Sequence, residues 1–208
     1  MNIVDKEGFE AVKKSVFNLY YFYQKLTRNK KVIKTLLKVP NVIPFAEQYD
    51  LSIEQVLSGM MFIDVINTID SLFGETSFRG KGGASLYCFI SYVIVTSHPE
   101  PDYSVYLMAA TDREGEASKS FQDLIDMYKN WELNATTTHY KTAILLSKVN
   151  DDLLCDYWKH MYHFVYSVLY AEESWSDEQK GYLDNIIEVA KKALPNYTIN
   201  YSKPVYIK

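Results

Sequence analysis

The chain has 208 residues and a net charge of -4, with 48% apolar residues and 15% aromatic ones, including 18 Tyr and 10 Phe. That is enough apolar surface to build a core, and it excludes a disordered chain, which needs few aromatics and a high net charge. The acidic balance and the lack of a long basic run exclude a dedicated nucleic-acid groove, and no run of about 18 apolar residues is present to span a membrane.

The first element predicted is an amphipathic helix over 5–28. Phe9, Val12, Val16, Leu19, Tyr20, Tyr23 and Leu26 recur at three- and four-residue steps and so share one face. A shorter helix follows over about 30–38, and Val39-Pro40 stops it, because a residue before proline avoids the helical region. Its basic residues, Arg28 to Lys38, read as a solvated face. NVIPFAEQYD then reads as a loop leading to Ser52, whose side chain can cap a helix over about 53–73. That helix is apolar almost all round, which makes it central to the fold; only Asp64, Asn67 and Ser71 form a polar stripe along it.

FRGKGGAS, residues 78–85, raises the question of a phosphate site. A P-loop reads G-x-x-x-x-G-K-[ST] after a strand. Here Gly74 and Gly80 are one residue too far apart, Gly82 follows Lys81 where Ser or Thr belongs, and the preceding segment is helical. The nucleotide reading fails. Arg79, Gly80, Lys81, Gly82 and Gly83 remain a candidate anion or peptide contact at the start of the next helix. That next helix, 84–97, is the second expected central element, and His98-Pro99-Glu100-Pro101 breaks the chain after it. Short helices are predicted near 103–111 and 117–131, and another over about 135–148.

A long helix is predicted over 150–173. Asp156, His160 and His163 share one of its faces at i, i+4, i+7, a spacing that metal ligands can use. The apolar seam of Leu154, Tyr157, Trp158, Met161, Val165, Val168 and Leu169 lies nearly opposite, so these histidines are expected to meet water and to bind no transition metal. The last helix runs from Ser176 to Leu194. Ser176-Asp177-Glu178-Gln179 is a capping box, and Pro195 closes the helix. The tail beyond it carries Tyr197, Tyr201 and Tyr206, expected to dock back on the bundle or to pack on a second copy.

Cys88 and Cys155 sit inside apolar runs and read as small buried hydrophobes. The amino terminus lacks the apolar core of a secretory signal, so a cytoplasmic location is expected. No nucleophile elbow or other catalytic constellation appears, and no cofactor is expected.

The stretch FVYSVLYAEESWSDEQKGYLDNIIEVAKKAL, from Phe164 to Leu194, is an apolar helix, a short acidic turn, a capping Ser and an acidic amphipathic helix. It resembles the helix–turn–helix core of tellurite-resistance TerB-like domains. The family's turn glycine is missing, and Ser176-x-x-Gln179 stands for Ser-x-x-Glu. IDSLFGETSFRGKG is a weaker echo of the same pattern. The resemblance implies a small helical domain linked to stress or phage-defence systems and working with a larger ATPase. It also implies acidic metal-binding positions at the turn, which here would be Glu172 and Glu173.

The expected fold is all-α, a bundle of about eight helices over 1–194 followed by a Tyr-rich tail, 195–208. The leading functional reading is a non-enzymatic interaction or regulatory module with a protein partner or a second copy. The alternatives are a metal-binding protein or metal-dependent enzyme using scattered Asp, Glu and His, and a small-ligand sensor.

Overall fold

The computed structural model describes residues 6–73, 123, 126–127, 141–170 and 176–201. Among them the chain is helical, without a strand. The helices are α1 (Lys6–Thr27), α2 (Lys30–Leu36), α3 (Val42–Gln48), α4 (Ile53–Phe73), α5 (Lys141–Ser147), α6 (Asp151–Tyr170) and α7 (Asp177–Ala193). Seven helices are thus delimited among the described residues, where about eight were expected over the whole chain. The helices expected at 84–97 and 103–111 lie outside the described residues. Of the one expected over 117–131, Asp123, Asp126 and Met127 are helical.

Caps fix most of these helices where the sequence offers a short polar side chain. Asn29 Oδ1 accepts from the N–H of Lys31 and Val32 at 2.9 and 3.3 Å, opening α2. Asn150 Oδ1 does the same for Asp152 and Leu153 at the start of α6. Ser52 and Gln55 cap α4 reciprocally. In each case donors that the first turn leaves unbonded gain a partner.

α3 departs from the expected loop. Pro44 is its third residue, within the first turn, where the missing N–H has no helical acceptor to lose. The element buries Val42, Phe45 and Ala46 at helical spacing. It ends in a Schellman motif, in which the Leu51 N–H donates to the Ala46 carbonyl at 2.9 Å and that of Asp50 to Glu47 at 3.4 Å. Asp50 takes the left-handed backbone usually given to glycine there, with φ 52°.

α4 is the central helix. Val56, Leu57, Met60, Met61, Phe62, Ile63, Val65 and Leu72 are all buried, as its near-uniform apolarity requires. It packs against α1, α2, α3, α5 and α7. α1 and α6 form the longest contact and run antiparallel: Ser15 meets Ser167 at 2.6 Å, Phe22 meets His160, and the Tyr23 hydroxyl meets the Met161 sulfur.

α7 is clamped at its start. Ser176 Oγ accepts from the Gln179 N–H at 3.1 Å, while Gln179 Oε1 accepts from the Ser176 N–H at 2.9 Å. Gln179 Nε2 also donates to the Leu72 carbonyl at 3.1 Å, satisfying an acceptor in the last turn of α4. One side chain thus closes one helix and opens another. Ser176→Ala is expected to cost about 1 kcal/mol, read as a lower urea midpoint at unchanged slope.

Candidate functional site

One set of buried polar groups inside this bundle, besides the Ser15–Ser167 pair, comes from three helices. Asp64 lies in the middle of α4 with no exposed surface. Lys141 and Thr142, the first two residues of α5, are 3% and 1% exposed, and Tyr157 of α6 is fully buried. α4 brings Asp64 here because it is apolar on every other side, so the helix must sit in the core and carry its one mid-helix acid with it.

Burial drives the Asp64 carboxyl well above the usual carboxylate range, since the ionised form loses its water. The Thr142 hydroxyl and backbone N–H, the Lys141 charge and the Tyr157 hydroxyl pull it back down. Neither carboxylate oxygen closes a hydrogen bond of normal geometry among the described residues. Lys141 moves the opposite way: burial lowers its pKa, and Asp64 raises it in part. Burial thus pushes both groups toward their neutral forms, while each draws the other toward its charged one.

The histidine expectation needs correction. Asp156 is exposed, but His160 is half-buried with its ring 4.9 Å from that of Phe22. Burial lowers the His160 pKa to about 4, and the same cause depresses His163. The side of α6 opposite its main seam is only partly a water face: Asp152, Asp156 and Lys159 are exposed there, while His160 and His163 are half-buried. Among the described residues, no group of three or more His, Cys, Asp or Glu side chains could hold a metal ion. Cys155 is half-buried rather than fully buried, and its thiol is raised first by burial.

Two tail tyrosines return to α6. The Tyr162 hydroxyl donates to the Tyr201 carbonyl, and the two rings meet edge to face at 5.1 Å. The Tyr197 hydroxyl donates to Asp152 Oδ1 at 3.1 Å while its ring stays 40% exposed. Tyr206, Cys88, Arg79 to Gly83, and Glu172 with Glu173 lie outside the described residues. No helix among the described residues is long and apolar enough to cross a membrane.

The Asp64 cluster was missed in the sequence, although Asp64 itself stood out there, with Asn67 and Ser71, as the polar stripe of a helix apolar almost all round. No family model, curated protein or solved structure matches the chain.

Proposed function

We propose that the chain is a non-enzymatic interaction module, which presents aromatic side chains to a protein partner or to a second copy of itself. The observation that carries this reading is the outer side of α1. Tyr21 is 53% exposed, its ring stacks on Phe17 at 6.2 Å and 18°, and Tyr20 tilts against it at 6.1 Å. Stiff aromatic rings held at a surface offer large contact area at low entropic cost, which is why they anchor interfaces. The exposed ring of Tyr197, fixed by its bond to Asp152, offers a second anchor. The resemblance over 164–194 supports a TerB-like role in the cytoplasm, as a stress- or defence-associated component of a larger ATPase system.

Site-specific photo-crosslinking in the host cell tests this. A photoreactive residue at position 21 is expected to give one discrete adduct, and one at the exposed Glu188 of α7 none. An adduct of twice the chain mass identifies a second copy, and any other discrete mass a different partner. No adduct at 21, or the same adducts at both positions, overturns the reading.

A further inference from the structure

The two sides of α2 differ sharply. Val32 and Leu36 have no exposed surface and belong to the core. At about 100° per residue, Lys30, Lys31 and Lys34 fall on the opposite side, and all three are exposed. Leu37 follows Lys34 by one turn with helical backbone, so it lies beside these lysines, 38% exposed. The exposed Lys38 extends the face. α1 leads into it: Tyr21 and Lys25 are one turn apart and both exposed, and the exposed Arg28 comes next. The corner between the helices is fixed. The Asn29 N–H donates to the Leu26 carbonyl at 3.0 Å, and the Asn29 side chain caps α2.

These cations have no counter-charge of their own. Residues 11–46 hold eight Lys and Arg and no Asp or Glu, although the chain as a whole is acidic. Lys25, Arg28, Lys30, Lys31, Lys34 and Lys38 form no ion pair among the described residues. Lys30, Lys34 and Lys38 repel one another at four-residue steps, which weakens a helix. Folding therefore gains nothing from this concentration of charge.

We propose that the face from Tyr21 to Leu37 docks an acidic segment of a different protein, one that also carries apolar side chains. This rests on the interaction reading above and names the chemistry of the partner. Carboxylates facing the lysines steer the encounter, and apolar contact with Tyr21 and Leu37 supplies the area that holds it. An anionic membrane fits less well, because a helix lies on a bilayer with its apolar side down and that side of α2 is spent on the core. Nucleic acid fits less well, because its phosphates offer nothing to an exposed leucine and repel a chain of net charge -4. A second copy also fits less well: Asp177 and Glu188 on α7 are already paired with Lys180 and Lys192 at 3.6 and 3.7 Å.

The test places an apolar photoreactive residue at position 37 of the full chain in the host cell, and separately at 21. Each is made in the wild type, in Lys30→Glu/Lys34→Glu and in Lys191→Glu/Lys192→Glu. All four lysines are exposed, and the α7 pair gives the same change of net charge. Mass spectrometry of the digested adducts reads the crosslinked segment. The same discrete adduct is expected at 37 and 21, on a net-acidic segment. Its yield at 37 is expected to fall about tenfold with the α2 reversal, the scale of turning two exposed attractions into repulsions, and to hold with the α7 reversal. Lys30→Gln/Lys34→Gln, expected to lower the yield about threefold, serves if the reversed chain does not fold. An adduct at 21 alone, a neutral or basic segment, or an adduct of twice the chain mass overturns the acidic partner and leaves the interaction reading standing. So does a yield at 37 that ignores the α2 changes or falls equally with the α7 reversal. A lipid or nucleic-acid adduct at 37 overturns it in favour of that surface. An adduct at 37 alone, or none at either position, overturns both readings.

Discussion

Trp158→Ala is expected to lower stability by about 3–5 kcal/mol, the range for deleting a large buried aromatic side chain. Trp158 is 2% exposed and meets the fully buried Tyr157 edge to face, with ring centroids 5.3 Å apart. The cost depends on how far the surroundings can collapse into the space. Here collapse is resisted: α6 is packed by α1, α5 and α7, and each of these is tied elsewhere, α1 and α5 to α4 and α7 to the Leu72 carbonyl. A domain's whole stability is about 5–15 kcal/mol, so the variant stands near its unfolding threshold. Circular dichroism in urea should show a midpoint shifted down with its slope kept. Trp158→Phe, which keeps a ring in the site, should recover much of the loss. Equal losses in the two variants would mean that the volume of the indole is not what the site requires.

The parts of this architecture that could be read from sequence share a physical trait. α1, α4, α6 and α7 are long enough for apolar periodicity to repeat several times, and their first turns carry recognisable caps at Ser52 and Ser176. α3 escaped because Pro44 marks a break inside a helix and is harmless in a first turn, and the letters alone do not say which position it occupies. His160 escaped for a different reason. A helical wheel shows the principal seam of α6 but not the number of neighbours around it, and Phe22 arrives from the far end of the chain sequence to cover the side judged wet. The Asp64 cluster is a purely tertiary product: Lys141 and Thr142 fall inside the helix expected over about 135–148 with nothing local to single them out, and only the packing of α5 on α4 brings them near the acid. Tyr201 could be expected to dock because a Tyr-rich tail is costly to leave in water, while its particular seat on Tyr162 needed the fold.

The His160 environment sets the second large effect, an acid-sensitive contribution to stability. In the unfolded chain an imidazole takes its proton near pH 6.5. In the folded chain, burial against Phe22 holds it off until about 4, with the charges of His163, Lys159 and Lys25 adding to this and Asp156 opposing it. Between those values the unfolded state binds more protons, so stability is fully present above pH 6.5 and is lost as pH falls toward 4. The difference in pKa sets a ceiling of about 3 kcal/mol. Solvent screening at a half-buried ring reduces the expected loss to about 2 kcal/mol. His163, depressed by the same cause, acts in the same direction. Urea midpoints at pH 7, 5.5 and 4.5 should therefore fall more steeply for the wild type than for His160→Leu, which keeps an apolar contact with Phe22 and has no proton to take up. Acidic side chains titrate in both proteins and cancel in the comparison. Curves that stay parallel from pH 7 to 4.5 would show that the imidazole is charged within the fold, and would restore the water-facing reading of this side of α6.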